Sequence, residues 1–485
     1  RTRTLPPRIR IVVTMERLSA STTLADAVVK PAFDPKALKP GILHIGLGAF
    51  HRAHQAVYND LALAKEPGDW GIVGVSLRSL DIVRDLRAQD HLYSVVTRSG
   101  AGESVQVVGS IIRGISAVED REELLALLVD PAIRIVTITV TEKAYGLDPS
   151  TGGLDRNHPA VAADLANPTA PVGVIGYIVE GLARRHAAGQ EPFTVLCCDN
   201  LPTNGRIVRR LVIEMAGARD PALANWITGH GAFPSSMVDR IVPAATDEGR
   251  ARAARMLGAE DALSLETEPF MQWVIEDHFI SGHPAWDKAG ALFVDDVEPY
   301  EKMKLRLLNG AHSMIAYLGQ LKGLEYVRDV MAVPEYRDLA RRHMQAARRT
   351  LDPVPGIDLD SYIDQLIERF ENPTIAHRTR QIAMDGSQKL PQRIFAGTVE
   401  ALAKGGEADT AALATALWIA YAKRTPDIDD PRRDELRRAA SEPAGDDASA
   451  PFFALPGLFP QALIDNRAWR DRVNAKLAEI EAGRI

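Results

Sequence analysis

Gly41-Ile42-Leu43-His44-Ile45-Gly46-Leu47-Gly48-Ala49-Phe50 is the stretch on which the fold turns. Gly41 to Ile45 reads as a short strand, the two glycines that follow make a tight turn, and residues 54–64 carry a helical pattern. Strand, glycine turn and helix suit the first crossover of a dinucleotide-binding fold, with phosphate at the helix N-terminus. His51 stands where the third glycine of the usual fingerprint would be. Tight strand-to-helix turns also use glycine for structural reasons alone, so context has to decide.

Working outward, residues 70–77 read as a second strand, at whose end the adenosine ribose is normally recognised. Asp81 follows a few positions on. A carboxylate there would accept hydrogen bonds from both ribose hydroxyls and repel a 2′-phosphate, which favours NAD over NADP. Asp81 also suits the N-cap of the next helix, and Arg78 keeps NADP open. Residues 133–140 form a β-branched run ending at Thr141-Glu142-Lys143, and residues 193–198 form another, ending at Asp199-Asn200. Ligands of open α/β sheets bind beyond the carboxyl ends of the strands, and Asn200 lies at such an end. A turn asparagine is the plain alternative. Asp239, in a further short segment, is either a buried acid of the site or the ion-pair partner of a neighbour.

The bulk composition narrows the class. A chain of 485 residues exceeds one small core, so two domains are expected. With 46% hydrophobic and 25% charged residues it is ordinary for a globular protein, and a net charge of −7 leaves no footprint for nucleic acid. No apolar run approaches the ~20 residues that span a bilayer, so no membrane association is expected. Cys197 and Cys198 are adjacent, which excludes a disulfide framework and points to a reducing, cytoplasmic setting. Residues 1–20 carry several arginines and only a three-residue apolar run, too short for a secretory segment. The expectation is an upstream-extended start, with Met15 as the true first residue, and a poorly ordered extension over residues 1–30. Residues 31–289 then form a Rossmann-type domain. From about residue 290 long helical patterns replace the short β-rich ones, giving a mostly helical domain over residues 290–485.

The first of those patterns contains Lys304-Leu305-Arg306-Leu307-Leu308-Asn309-Gly310-Ala311-His312-Ser313. On an α-helix Asn309 lies about 140° and His312 about 80° around from Lys304, within one broad face. A lysine able to lose its proton, an amide and an imidazole can together move a proton at an alcohol or carbonyl. No Cys-rich or His-rich ligand cluster is present, so no metal is expected. The base must then be a side chain, for which a buried lysine of depressed pKa is suited. Asn309, Asn200 and His312 would hold the oxygen. Spacing alone favours the plainer reading, a lysine snorkelling from a surface helix beside a satisfied core histidine.

The motifs Gly46-Leu47-Gly48-Ala49-Phe50-His51-Arg52-Ala53-His54, Cys198-Asp199-Asn200 with Asn204-Gly205, Met237-Val238-Asp239-Arg240-Ile241, Glu268-Pro269-Phe270 with Gln272-Trp273-Val274, and Lys304 to Ser313 carry a resemblance. From about residue 30 onward the chain resembles the polyol-specific long-chain dehydrogenases, the mannitol dehydrogenase family. The resemblance implies a zinc-independent, NAD- or NADP-dependent oxidoreductase with its active site between the two domains. It would interconvert a secondary alcohol and a ketone on an open-chain sugar acid or polyol. It implies Lys304 as base, Asn309 and Asn200 as the oxyanion hole, and His312 orienting the reacting oxygen. Asp239 and Lys389 would contact substrate, and Glu301 would relay the proton to solvent. The expected cofactor contacts are Gly46, Gly48, Ala49, Phe50, Arg52 and Asp81. Within the family, residues 377–393 look like the fructuronate reductase branch, whereas Leu201-Pro202 looks like the mannitol 2-dehydrogenases. Arg378, Arg380 and Arg393 would supply charge for a substrate carboxylate, or are ordinary surface arginines. Family members are often monomers or weakly associated. A non-catalytic regulator on the same fold would lack the lysine, asparagine or histidine, and all three are present.

Overall fold

The computed structural model describes residues 15–148, 151–406, 408–443, 445 and 447–485. Five strands, β1 (Pro40–Ile45), β2 (Gly71–Ser76), β3 (Ile111–Ser116), β4 (Ile135–Ile138) and β5 (Thr194–Cys197), form one sheet in the order β3-β2-β1-β4-β5. Every pairing in it is parallel. Parallel strands are covered on both faces, which is why these segments read as unbroken apolar runs and not as alternating ones. Successive side chains nonetheless enter opposite layers. Leu43, Ile45, Val73, Val75, Val136 and Ile138 pack against helices Arg121–Val129 and Val174–Ala187. Ile42, Ile72, Ile135 and Leu196 pack on the other face against helix Gln55–Lys65. The strand order reverses at β1, with β2 on one side and β4 on the other, and a crevice opens at the carboxyl ends there.

Two smaller sheets complete this half. One is the hairpin Tyr93–Ser99 and Gly102–Val108 extended by Leu265–Thr267; the other joins Ser236–Asp239, Gln272–Glu276 and Leu292–Val294. From Glu298 onward the described chain is helical, around a core that includes Leu307, Met314, Tyr317, Leu366, Phe370, Phe395, Trp418 and Trp469. The architecture is therefore α/β with a Rossmann-type first domain and a helical second one.

One expectation is corrected here. Residues 1–14 lie outside the described residues, but residues 15–30 are not a loose extension. Leu18 is fully buried and packs with Val28 against Val96, Val105 and Leu257, and Arg17 and Val29 form bridges with Glu260 and Gln106. Leu18 and the Val28-Val29 pair stand ten residues apart and give no periodic signal, so composition alone reads the segment as a tail.

Candidate active site

The glycine turn sits at the mouth of the crevice. Gly46 has φ of +105°, and a Cβ there would lie 1.8 Å from the Thr139 carbonyl oxygen, so the position excludes any side chain. Gly48 precedes the short helix Ala49–Ala53, and a Cβ there would meet nothing nearer than 3.8 Å. The turn is held from beneath by His44, whose Nε2 lies 3.0 Å from the Gly46 carbonyl oxygen and 2.8 Å from Thr139 Oγ1. His51 is buried and stacks on His44 with ring centroids 3.3 Å apart. Both imidazoles are held well below their usual pKa by burial. A cleft of about 690 Å³ runs from Gly46, Gly48, Ala49 and Phe50, past Leu77, Arg78 and Ser79, to Thr139, Asp199 and Asn200.

Asp199 and Asn200 also line a second, smaller cavity with Glu301, Lys304 and Asn309. The two spaces therefore adjoin at the end of β5, with Asp199 and Asn200 lining both. Lys304 is 7% exposed, and its Nζ donates to Asn200 Oδ1 and to the Val238 carbonyl oxygen, each at 2.5 Å. Burial lowers the lysine pKa to about 8, against the pull of Asp239 in the other direction. Its two hydrogen-bond partners are neutral, so nothing in direct contact fixes its charge.

The helix here departs from the expected period. Residues Lys304–Asn309 form a π-helical turn between Glu298–Met303 and Gly310–Lys322, and the Gly310 N–H reaches back to the Leu305 carbonyl. Residues five apart stack in such a turn. Asn309 thus lies one turn along from Lys304 on the same side, not about 140° away as an α-helix requires. A second π-helical turn, Pro391–Phe395, packs beside the first, beginning at a proline that has no N–H for an α-helical ladder.

Glu301 sits one turn before the lysine. It is buried, accepts from the Thr203 N–H at 2.9 Å through Oε2, and has no partner at Oε1. Burial raises its pKa to about 7. His312 is 5% exposed, between Phe370 and His377 at ring separations of 4.4 and 5.1 Å. Its Nε2 has no partner, and burial, reinforced by His377, keeps the ring neutral.

Asp239 is not free to face a ligand. Both of its carboxylate oxygens accept from Arg369 at 2.9 Å, and Glu268 takes two further guanidinium hydrogen bonds at 2.9 and 2.8 Å. Burial alone would raise the Asp239 carboxyl, but Arg369 overrides it and holds it below the usual range. One cation serves two carboxylates, and the uncompensated charge shows at Glu268, whose pKa burial raises. Arg369 escaped the sequence reading. The available signal was a charged residue among Tyr362, Ile363, Leu366, Ile367 and Phe370, the buried side of helix Leu359–Glu371.

Six expected site residues line neither cavity: Asp239 and His312, described above, and Arg378, Arg52, Asp81 and Lys389. Arg378 is exposed and paired with Glu325 at 2.8 Å. Arg52 is buried, with Nη1 on the Leu263 carbonyl oxygen at 2.6 Å, and so braces the turn from behind. Asp81 is exposed in the first turn of helix Asp81–Ala88 and does not line the cleft. Lys389 is half-buried, with its pKa lowered to about 8 by burial and then by Arg393, which donates to Ser313 Oγ at 3.2 Å. Among the described residues no group of His, Cys, Asp or Glu is arranged to hold a metal ion, and no helix is long and apolar enough to cross a membrane.

Comparison with known proteins agrees with this layout. The family model for the mannitol dehydrogenase Rossmann domain matches residues 40–288, and that for the mannitol dehydrogenase C-terminal domain matches residues 296–481. The D-mannonate oxidoreductase of Escherichia coli K12 is 42% identical over 473 residues, covering 95% of this chain and 97% of its own. A mannitol 2-dehydrogenase of Aspergillus terreus is 41% identical over 471 residues, covering 94% and 93%. The solved Pseudomonas fluorescens mannitol 2-dehydrogenase, a ternary complex with NAD and D-mannitol, superposes with a TM-score of 0.88 at 37% identity over 96% of this chain and 97% of that one. The chain belongs to the mannitol dehydrogenase family of oxidoreductases.

Proposed function

We propose that the chain is an NAD-linked dehydrogenase that interconverts a secondary alcohol and a ketone on an open-chain sugar acid, with D-mannonate and D-fructuronate as the pair. The observation that carries this is a buried lysine of pKa about 8, hydrogen-bonded across the domains to Asn200, where the lysine cavity meets the glycine-turn cleft.

The cleft fits a dinucleotide. Gly46 excludes a side chain, Gly48 leaves space above the backbone, and the first N–H groups of a helix, here those of Ala49 and Phe50, have no intrahelical acceptor. Gly46, Gly48, Ala49 and Phe50 would hold the pyrophosphate end. When bound, the nicotinamide supplies a hydride acceptor for oxidation and a hydride donor for reduction.

The chain's own residues do the rest. Neutral Lys304 spends two N–H groups on Asn200 Oδ1 and the Val238 carbonyl, which leaves its lone pair to take the proton of the substrate hydroxyl. Because Asn200 accepts from the lysine through Oδ1, its amide nitrogen is the end left for the substrate oxygen. Asn309, stacked beside Lys304, supplies the second amide donor, and His312 Nε2 supplies the third contact. Glu301, with one oxygen unpartnered and a pKa of about 7, passes the proton onward. Asp239 acts through Arg369 and Lys304, as part of the mount and not as a hydrogen-bond partner of the substrate.

Lys389 and Arg393 favour a substrate carboxylate. They lie in the second domain, Arg393 near His312 and Lys389 near His377, and neither has a carboxylate within ion-pair distance among the described residues. The second reading is a hexitol, with D-mannitol and D-fructose as the pair. It is favoured by Leu201 and Pro202, which line the lysine cavity. NADH oxidation with D-fructuronate and D-fructose side by side separates the two. Faster turnover of fructuronate is expected. Equal or faster turnover of fructose rejects the sugar-acid reading.

A further inference from the structure

Among the described residues Asp199 is the one acid that lines the glycine-turn cleft, and the one acid that lines both cavities. It stands just beyond β5, directly before Asn200, and is half-buried. Its carboxylate is engaged on one side only. Oδ2 accepts from the Tyr145 hydroxyl and, at 2.9 Å, from the Val140 N–H at the end of β4. Oδ1 has no hydrogen-bond partner among the described residues, and no lysine or arginine there lies within ion-pair distance of the group. The other acids of the seam, Asp239 and Glu268, are both fastened to Arg369.

The groups around Asp199 do not supply the missing cation. The Tyr145 hydroxyl and the Cys197 and Cys198 thiols are kept protonated by burial, and His51, across the cleft on the glycine turn, is kept neutral by it. Glu142 adds repulsion. Glu301 and Lys304 face the smaller cavity, where Lys304 is turned onto Asn200 and the Val238 carbonyl. Burial, reinforced by Glu142, raises the Asp199 carboxyl to about 7 against the pull of its two hydrogen-bond donors.

The position narrows what can complete this group. Hydride passes directly between the nicotinamide and the carbon whose hydroxyl faces Lys304, so the two must be in contact. A dinucleotide held at Gly46–Phe50 therefore has to bring its nicotinamide to the seam that Asp199 lines. That ring is cationic when oxidised and neutral when reduced. A carboxylate attracts the first and is indifferent to the second; a carboxylic acid is indifferent to both.

Resting on the dehydrogenase reading above, we infer that Asp199 is the charge partner of the nicotinamide and reads its oxidation state. Ionised, it selects the oxidised nucleotide; protonated, it loses that preference. Ionisation and binding of NAD are then linked, each favouring the other by the same factor. NAD should bind more tightly as pH rises through 7 and should displace a proton as it binds. NADH should do neither. With NAD saturating, the carboxyl is already ionised at neutral pH and leaves the Lys304 ionisation undisturbed.

The test is calorimetric titration of NAD and of NADH on the full chain, from about pH 5.5 to about pH 7.5, where such a carboxyl titrates. Repeating it in buffers of different ionisation enthalpy counts the protons released. Over that range the affinity for NAD is expected to rise about tenfold, a modest coupling for opposite charges in a partly solvated site, while that for NADH stays flat. Asp199→Asn keeps an acceptor for the Val140 N–H, and should remove both the rise and the proton release. Glu301→Gln should keep both. Three results would overturn the inference: a wild type whose NAD-to-NADH affinity ratio does not change with pH, a proton release that persists in Asp199→Asn, or one that disappears in Glu301→Gln. The first needs no variant to fold. A wild type that binds neither nucleotide would instead overturn the dehydrogenase reading itself.

Discussion

Two buried cations, both held at the seam between the domains, illustrate opposite uses of the same desolvation. Lys304 is bonded to an amide oxygen and a main-chain carbonyl, and burial drives its pKa down to about 8. Arg369 is gripped by four carboxylate oxygens, and those anions outweigh burial and fix its charge. A buried cation with neutral partners is ready to give up its proton; one with anionic partners is a permanent fastening. The choice of residue follows the same logic, since lysine titrates when buried and arginine does not. Asp239 lies near both and couples the fastening to the lysine: it belongs to the Arg369 pair and pulls the Lys304 pKa upward.

That contrast can be broken from either side. Lys304→Ala should cost about 10³–10⁴ in turnover, the upper range for a lost general base. It should not lower thermal stability, because a partly charged buried group is removed. Arg369→Ala should do the reverse. It leaves two buried carboxylates without their cation, at a cost of about 3–5 kcal/mol, seen as a lower unfolding midpoint in urea, with any activity loss following from the disturbed seam. Asn309→Ala, which removes one oxygen donor and no charge, should lower kcat by about 10²–10³ with little change in stability. The smallest effect is expected for Glu301→Gln. It keeps the Thr203 contact but cannot pass a proton, so it should slow turnover by about tenfold and flatten the pH dependence near 7.

The sheet and its crevice were legible in advance because they depend on local signals. Residues 41–50 announce strand, turn and helix, and the β-branched runs of the parallel strands cannot be half-exposed. Lys304, Asn309 and Asn200 were legible as a set, but not their geometry. An α-helical period sets Asn309 about 140° around from Lys304, at the far edge of one broad face, and the π-helical turn draws the two together so that both line one cavity. No residue within Leu305–Leu308 marks that change of period; the proline that opens the neighbouring π-helical turn is 87 positions away in sequence, at Pro391 against Lys304. Arg52, Asp81 and Arg378 look alike in sequence as charged residues near motifs, and tertiary packing assigns them to a carbonyl brace, an exposed helix start and a surface ion pair. Leu18 shows the same limit for the core, since its burial depends on strands about 80 or more residues away, Val96 and Val105.

The direct test of Lys304 as a base is the pH profile of kcat/KM for alcohol oxidation. The neutral amine is the working form, so activity should rise with pH through an ionisation near 8, above the smaller one near 7 assigned to Glu301, and then level off. In the reducing direction, which needs the ammonium, activity should fall through the same pH. In Lys304→Ala the ionisation near 8 should vanish, with partial recovery on adding a small primary amine. A variant that keeps both the ionisation near 8 and near-normal turnover would contradict the account.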